Sequence, residues 1–334
     1  MGVTLKDLAS RLGVSGATVS MALRNSPRVS EEMRHRVQQL AKELYYVPNN
    51  FGRGLQSNRS HLLGYMLGSV TNSFLNELLE TVGYASMPDG YGLLTGWVPD
   101  TPEVFKSQLA LMLEKNVDAL IFTLTSELTY PYLHMLQAHQ KPFIFCSCYC
   151  PAEYNSVVGD HYLGGKLAVE HLAGYGHRAI LVSECRHLEE RRRGYTDAAL
   201  DAGMVMYIYG DQAEIPEILK AHPEITAIAA FSDREALDIR HMLEDLGKRV
   251  PEDISLIGYD DLWFSHEREF NLTTVAQPIR EIGLCTYQRL KEILSGDDCP
   301  RRILLPPTLK SRKSVTIAAI KESKHQPKHK GNAK

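Results

Sequence analysis

Apolar residues near the start of the chain recur at helical spacing in three short runs. The first run follows Thr4 and Asp7, which have the spacing of a capping pair, and it ends at Gly13. Ser15 is placed to cap a second helix and Ser30 to cap a third. This pattern predicts three helices around a small core, the first two joined by a tight turn as in a helix-turn-helix. Two amphipathic helices also occur in plain helical bundles, so the spacing alone leaves both structures open.

After residue 60 the hydrophobic pattern changes its period. Short apolar runs typical of buried strands alternate with amphipathic stretches, first between residues 61 and 148 and again from Ser156 to Tyr259. A last helix is predicted from Ile279 to Leu294, and the sequence LPPTLKSRKS after it supplies a late strand. This alternation predicts two successive parallel sheets flanked by helices, which is the α/β class, with a cleft between them.

The length of the chain indicates several domains, and the charge differs between its regions. With 334 residues, 44% of them apolar, two or three domains are expected. Residues 1–60 carry nine Lys and Arg against four Asp and Glu, a net charge of +5, whereas residues 61–320 carry 23 against 35, a net charge of -12. Residues 1–60 are therefore the part of the chain expected to face a polyanion.

The sequence also bears on the location of the protein. No apolar run approaches a membrane span, and Lys6, Asp7 and Arg11 interrupt the region where a secretory signal would be apolar. We therefore expect a cytoplasmic protein without a membrane partner, in which the six cysteines are reduced.

The N-terminal part of the chain contains motifs of a known family. The run VTLKDLASRLGVSGATVSMALRNSPRVSEEMRHRV, followed by YVPN and RGL, resembles the DNA-binding head of the LacI/GalR (lactose-repressor) family of bacterial transcription regulators. The resemblance extends over essentially the whole chain. It implies that the second helix contacts the major groove and that a hinge helix forms on the operator, where Leu55 wedges into the minor groove. The DNA-contacting residues implied are Thr4, Ser15, Gly16, Ala17, Thr18, Ser20, Met21, Asn25, Asn49, Arg53 and Leu55.

Two departures from the family pattern concern the strength of DNA binding. Gly52 and Gly54 flank the hinge arginine, and each is about 1 kcal/mol poorer than alanine in a helix. Met21 stands where the family usually has arginine, and methionine cannot make a bidentate contact with guanine. We expect moderate affinity with a strong salt dependence, on a near-palindromic double-stranded operator bound by a homodimer.

The rest of the chain resembles the effector-binding core of that family, which has two subdomains like those of periplasmic binding proteins. The motifs are NSF at residues 72–74, RRRGY at 191–195, SD at 232–233, GYDD at 258–261 and QP at 277–278. They imply contacts with a small-molecule effector in the cleft, at the carboxyl ends of the strands. The implied contact residues are Asn72, Phe74, Ser147, Asp160, Arg191, Asp233, Asp260 and Gln277.

The type of effector follows from these side chains. An arginine and aspartates around an aromatic ring are typical of a site for a polyhydroxylated molecule, so we expect a sugar or a sugar derivative. For Phe74, a place in the apolar core is an equally good alternative. No metal, cofactor or catalytic residue is expected.

The resemblance also implies domain boundaries. We expect a helix-turn-helix head at residues 1–47, a hinge at 48–60, an effector-binding and dimerisation core at 61–320, and a disordered basic tail at 321–334. Within the core, an N-subdomain is expected to comprise residues 61–157 and 279–312, and a C-subdomain residues 158–278 and 313–320.

Cys146, Cys148 and Cys150 form a C-x-C-x-C run. Period-two spacing on a strand would place the three thiols on one face, as in a metal or redox site. A tight tetrahedral site needs a fourth ligand, however, and is more often built from C-x2-C pairs. A strand end that continues into a loop is the favoured interpretation.

The sequence therefore predicts a cytoplasmic, nucleoid-associated bacterial repressor that responds to a small molecule. Whether the effector releases DNA or promotes its binding stays open. One alternative is a soluble sugar-binding or sugar-metabolising protein with an accessory DNA-binding head. Another is an architectural DNA-binding protein that does not respond to ligands.

Overall fold

The computed structural model describes part of the chain, divided into two compact units, Met1–Ser60 and His61–Lys334. The described residues are 3–47, 59–98, 101–123, 129–297 and 299–318. The predicted hinge contacts Asn49, Arg53 and Leu55, and the predicted tail at 321–334, lie outside them. Among the described helices, none is both long enough and apolar enough to span a bilayer.

The first unit contains the three predicted helices. They are α1 (Leu5–Leu12), α2 (Gly16–Leu23) and α3 (Glu31–Glu43). The Thr4 hydroxyl accepts a hydrogen bond from the Asp7 N–H at 3.3 Å, and the Asp7 carboxylate accepts one from the Thr4 N–H at 2.7 Å. Gly13 ends α1 with φ 65°, a conformation that glycine adopts without strain. Leu8 and Val19 are fully buried in the core that the three helices enclose.

The second unit begins with a parallel sheet, which together with its helices we call the first lobe. Its strands are β1 (Leu62–Leu67), β2 (Gly92–Trp97), β3 (Ala119–Phe122), β4 (Phe143–Cys146), β5 (Ser156–Gly159) and β11 (Arg302–Leu305). They are ordered β11-β5-β4-β3-β1-β2. Its helices are α4 (Ser73–Ser86), α5 (Pro102–Glu114), α6 (Leu133–Ala138) and α11 (Ile279–Leu294). Tyr65 and Ile121 pack with α4 and α11 on one face of the sheet, and Phe122 packs with α5 on the other.

The second lobe repeats this architecture. Its strands are β6 (Ala179–Ser183), β7 (Val205–Tyr209), β8 (Ala227–Ala229), β9 (Ser255–Asp260), β10 (Thr273–Ala276) and β12 (Thr308–Lys310). They are ordered β12-β10-β9-β8-β6-β7, and β12 alone runs antiparallel to its neighbour. Its helices are α7 (His161–Gly174), α8 (Glu189–Asp201), α9 (Ile215–Ala221) and α10 (Asp233–Asp245). The α/β class and the two successive sheets are confirmed.

The chain passes between the lobes three times, after β5, after β10 and after β11. The strand pairing corrects two assignments. Ser156–Gly159 was predicted to begin the second series of strands, but β5 pairs with β4 and β11 in the first sheet. Thr308–Lys310 was predicted to lie with the first subdomain, but β12 pairs with β10 in the second sheet. Local hydrophobic periodicity identifies a strand but carries no information about the sheet that it joins.

The cysteine run does not lie on one face. Cys146 packs on the face of the first sheet that is covered by α4 and α11, whereas Cys148 and Cys150 pack on the opposite face. Ser147 between them has φ 58°, which ends the alternation of the strand. Burial raises the pKa of Cys146 to about 12 and also raises the pKa of Cys148 and Cys150. The three thiols are therefore protonated at neutral pH. Strand β4 ends at Cys146, so the favoured interpretation of a strand end that continues into a loop is confirmed.

Candidate ligand cavity and recognition helix

A cavity of about 610 Å³ lies between the two lobes, at the carboxyl ends of their strands. Its volume is in the range of sites for small molecules. Six of the eight predicted effector contacts line it: Asn72, Phe74, Ser147, Arg191, Asp260 and Gln277. The first three belong to the first lobe, the next two to the second lobe, and Gln277 lies where the chain crosses between the lobes.

Arg191 reaches the cavity because α7 and α8 are in close contact. A Cβ atom on Gly165 would lie 2.4 Å from the Arg191 carbonyl oxygen, and one on Gly194 would lie 2.2 Å from the Tyr162 carbonyl oxygen. Only glycine allows the two backbones to approach so closely. Gly165 and Gly194 therefore allow the side chain of Arg191 to lie beside the first turn of α7.

Arg191 is 2% exposed, and its hydrogen-bond partners are neutral groups. Its Nη1 donates to the Phe231 carbonyl oxygen at 2.6 Å, and its Nη2 donates to His161 Nδ1 at 3.1 Å. The guanidinium carbon lies 3.4 Å from the centroid of the Tyr259 ring, in cation–π geometry. The buried Nε has no partner among the described residues.

His161 lines the cavity but was not predicted to do so. Burial, reinforced by the charge of Arg191, lowers the pKa of His161 well below its ordinary value. Since arginine only donates hydrogen bonds, Nδ1 must accept and the proton of the neutral ring lies on Nε2. A histidine adjacent to the predicted Asp160 was the available signal, but a single histidine has many structural roles.

Asp260 and Gln277 form a buried polar pair. Gln277 Nε2 donates to Asp260 Oδ1 at 2.8 Å, and each residue is 8% exposed. Burial raises the pKa of Asp260 to about 6, while Arg191 and the bond from Gln277 oppose that rise. Gln277 Oε1 and Ser147 Oγ are buried without a hydrogen-bond partner among the described residues.

Two predicted contacts, Asp160 and Asp233, do not line the cavity. Asp160 caps α7 by accepting from the Leu163 N–H at 2.9 Å. Asp233 is fully buried, and it accepts from the Leu262 N–H at 2.8 Å and from the Thr274 hydroxyl at 2.6 Å. Burial raises the pKa of Asp233 well above its ordinary value. These carboxylates shape the elements around the cavity, since short aspartates beside a helix start reach backbone N–H groups first.

The connection after β9 supplies aromatic side chains that the sequence analysis missed. Trp263 and Phe264 both line the cavity, as does Phe231 at the end of β8. Trp263 is 69% exposed. The sequence DLWFSH has no strand or helix period, so its aromatic residues had no predicted position.

The recognition helix α2 presents fewer side chains to solvent than the sequence indicated. A Cβ atom on Gly16 would lie 2.9 Å from Leu5 Cδ2, so Gly16 packs against α1. Met21 is half-buried and packs against the core of the head. Ala17 is exposed, whereas Thr18 and Ser20 are half-buried.

Other predicted DNA contacts already have structural partners. Asn25 has φ 56°, and its Oδ1 accepts from Gln38 Nε2 at 2.7 Å. Ser15 caps α2 through a bond from the Thr18 N–H at 3.1 Å, and Thr4 caps α1. The N-terminus of a helix also suits phosphate binding, so a capping role does not conflict with a contact to DNA. The DNA contacts of Thr4, Ser15 and Asn25 stay predictions.

Comparison with known proteins finds two matching family models along the chain. A family described as "Bacterial regulatory proteins, lacI family" matches residues 4–49, and a "Periplasmic binding protein-like domain" matches residues 169–315. A relative from Erwinia tasmaniensis named "HTH-type transcriptional repressor PurR" is 30% identical over 331 residues, covering 93% of this chain and 96% of its own. A repressor of the same name from Vibrio atlanticus is 29% identical, covering 93% of this chain and 98% of its own.

Solved structures agree with these matches. The Lac repressor dimer bound to operator and the anti-inducer ONPF superimposes with a TM-score of 0.83 at 25% identity, covering 95% of this chain and all of that one. The transcriptional regulator CelR in complex with cellobiose gives a TM-score of 0.68 at 26% identity, covering 93% of this chain and 99% of that one. With the head, the two-lobed core and the full-length relatives in agreement, this chain belongs to the LacI family of bacterial DNA-binding transcription regulators.

Proposed function

We propose that the protein is a homodimeric repressor that binds a near-palindromic operator and is controlled by a sugar or sugar derivative in the 610 Å³ cavity. The observation that carries the proposal is that three residues lining this cavity each have a buried polar atom without a partner in the part of the chain that the structure describes. These atoms are Ser147 Oγ, Arg191 Nε and Gln277 Oε1.

Unpaired buried polar atoms are costly, at about 1 to 3 kcal/mol each. Each of these atoms is covered by its neighbours in this structure, so the side chains must shift for a ligand to pair with them, and the atom types indicate which groups that ligand carries. Arg191 Nε–H is a donor, Gln277 Oε1 is an acceptor, and Ser147 Oγ can be either. Hydroxyl groups both donate and accept, so a molecule with several hydroxyls matches this mixture. The carboxylate of Asp260 adds a strong acceptor on the same wall.

The names of the relatives support the regulatory part of the proposal. The matched proteins are named as repressors and regulators, and CelR was solved with cellobiose. We therefore propose a cytoplasmic, non-enzymatic protein with a head at residues 1–47, a hinge at 48–60 and an effector core at 61–320. In this proposal Leu55 of the hinge kinks the operator, and ligand binding changes the arrangement of the lobes and so the pairing of the two hinges.

The effector part is tested by thermal shift with the full chain. The panel contains sugars, sugar acids and nucleobases, because the aromatic walls would also accept a planar heterocycle. A sugar is expected to raise Tm, and Asp260→Ala should abolish that rise while Arg192→Ala, which changes an exposed neighbour of Arg191, should not. A rise that survives Asp260→Ala, or a panel in which only nucleobases bind, would reject the sugar site in this form. Turnover of a sugar would support the metabolic alternative.

The DNA part is tested with an operator selected from random duplexes. The selected site is expected to be near-palindromic, and the logarithm of the affinity should fall steeply with the logarithm of the salt concentration. Repeating the titration with the sugar present determines whether the effector releases or promotes binding. A slope that is flat in salt would contradict the proposed interface.

A further inference from the structure

Trp263 lies at the cavity in an unusual state for a tryptophan. It lines the cavity and yet is 69% exposed, whereas Phe74 on the opposite lobe is 9% exposed. An indole is among the largest apolar surfaces that a protein can bury, and its exposure in the free protein leaves that surface available to a ligand.

The segment around Trp263 is held in place on both sides. The Leu262 N–H donates to Asp233 at 2.8 Å, and the Ser265 N–H donates to the Leu262 carbonyl oxygen at 2.9 Å. Leu262 is 4% exposed and packs in the core of the first lobe, and Phe264 packs against the cores of both lobes. With both neighbours anchored, the backbone of Trp263 is held at the cavity while its indole stays exposed.

A second set of bonds fixes the following turn. Arg312 Nη2 donates to Asp261 Oδ1 at 2.5 Å, and Ser265 Oγ donates to the same oxygen at 3.2 Å. Arg312 Nη1 also donates to the Leu272 carbonyl oxygen at 2.7 Å. The segment is therefore preorganised, and placing a ligand on the indole requires little ordering of the chain.

We propose that Trp263 is the surface on which the ring of the effector lies, and that the effector is a cyclic sugar rather than an open-chain polyol. This inference rests on the proposed sugar-binding function of the cavity. A sugar ring has a face of C–H groups that matches the indole, while its hydroxyls point outward to Arg191, Asp260 and Gln277. An open-chain polyol carries the same hydroxyls but has no such face.

The sequence allows a direct test, because it contains two tryptophans, Trp97 and Trp263. Trp97 lies on β2 of the first lobe, is 54% exposed and is not among the residues lining the cavity. The variant Trp97→Phe retains Trp263 as its only tryptophan, and Trp263→Phe retains Trp97 as the matched control. Both are titrated with ribose, xylose, glucose, galactose and cellobiose, and with ribitol, xylitol, glucitol and galactitol.

A sugar that raises Tm is expected to shift the emission of Trp97→Phe and to protect it from acrylamide quenching, with no change in Trp263→Phe. The matching polyol should bind at least about tenfold more weakly. Trp263→Ala should weaken sugar binding about tenfold and Trp263→Phe less, because phenylalanine keeps part of the aromatic face. Trp263 is exposed, so both variants are expected to fold.

The outcomes distinguish a failure of the role of Trp263 from a failure of the proposed sugar site. A sugar that raises Tm without changing Trp263 emission, or polyols that bind as tightly as sugars, would overturn the role of Trp263 alone. Emission of Trp263 that changes with protein concentration but not with sugar would assign it to a subunit contact and overturn the inference in the same way. Absence of binding by every sugar and polyol would overturn the proposed sugar site itself.

Discussion

Among the described residues, each lobe contains one fully buried arginine, and the two differ in how completely their nitrogens are hydrogen-bonded. Arg289 of the first lobe has every nitrogen paired: Nε with Asn155, Nη1 with the carboxylates of Glu292 and Asp297, and Nη2 with the Asp297 and Cys299 carbonyl oxygens. Arg191 of the second lobe has no carboxylate among its hydrogen-bond partners, and its Nε is unpaired within the described residues.

The difference in hydrogen bonding suggests a structural role for Arg289 and a ligand-binding role for Arg191. Arg289 lies far along α11 and ties the end of that helix to β5 and to the segment leading into β11, so its bonds are complete without a ligand. Arg191 lines a cavity and retains bonding capacity. A buried arginine is stabilising only when its charge and donors are matched, and the incomplete pairing at Arg191 supports the proposed contact with a ligand. The comparison can be tested by four sets of substitutions.

The largest expected effect is on stability, from Arg289→Met. The side chains of Glu292 and Asp297 are 37% and 41% exposed and remain solvated, so the loss comes mainly from the buried Asn155 and the carbonyl oxygens, which lose their donor at about 1 to 3 kcal/mol for each buried group. Urea unfolding should show this loss, whereas Arg280→Met on the exposed surface of the same helix should change little. Arg289→Lys, which keeps the charge, should be intermediate. A loss below about 1 kcal/mol for Arg289→Met would remove the contrast between the two arginines.

Arg191→Met should affect ligand affinity much more than stability. Stability should change by less than about 1 kcal/mol, because the lost bonds are offset by removal of a buried charge. Effector affinity should fall about 100-fold, since the strongest donor to the ligand disappears. Calorimetric titration with the sugar found by thermal shift measures the affinity, and Arg192→Met is the control on the same helix. Equal losses of stability in Arg191→Met and Arg289→Met would show that both arginines are structural.

A smaller effect concerns pH and Asp260. Its pKa in the folded protein is about 6, above the ordinary value of 3.8. The folded state therefore binds the proton more tightly than the unfolded state, and this contribution to stability is lost as pH rises from about 4 to 6. Asp260→Asn keeps an acceptor for Gln277 but cannot ionise. It should be more stable than the parent protein by about 3 kcal/mol at pH 8 and nearly equal at pH 4.

Urea unfolding at both pH values checks this difference, and the same variant should bind the sugar more weakly. Asp261→Asn is not a suitable control, because Asp261 is bonded to Arg312. A difference between Asp260→Asn and the parent protein that is constant from pH 4 to pH 8 would contradict the raised pKa.

The smallest effects should come from the two helix caps that face the cavity from opposite lobes. Asn72 caps α4 with bonds from the Phe74 and Leu75 N–H groups, and Ser232 caps α10 with a bond from the Glu235 N–H. Asn72→Ala and Ser232→Ala should each cost about 1 kcal/mol. If the lobes differ mainly in their buried charges, the two losses measured by thermal unfolding should agree. A loss several times larger in one lobe would place the difference between the lobes elsewhere.

Much of this architecture could be predicted from local sequence. The helix Ile279–Leu294 has the predicted bounds, because its apolar residues recur at helical spacing over four turns. The caps at Thr4, Ser15 and Ser30 were also predictable, since a hydroxyl three residues before an N–H makes a local bond. Such features depend on neighbours in sequence alone.

The features that were missed depend on distant contacts. Strands β10 and β11 were not predicted, because β10 begins with two polar threonines and β11 is an edge strand whose residues are exposed or half-buried. Asp233 was predicted to contact the effector, but Thr274 and the Leu262 N–H occupy its carboxylate. Trp263 had no predicted role because the fixed position of its segment depends on Arg312. For these two side chains the deciding partner comes from another part of the fold.

The threefold passage of the chain between the lobes has a consequence for synthesis. Helix α11 and strand β11 complete the first lobe, but they are translated after all of the second lobe except β12. The apolar surfaces of α4 and β4 that α11 covers are therefore exposed on the ribosome until residue 294 has emerged. The head is complete before then, and the second lobe lacks only β12 and the residues that follow it. Nascent chains that terminate between residues 160 and 278 would keep this surface exposed and should be preferred targets of chaperones and proteases.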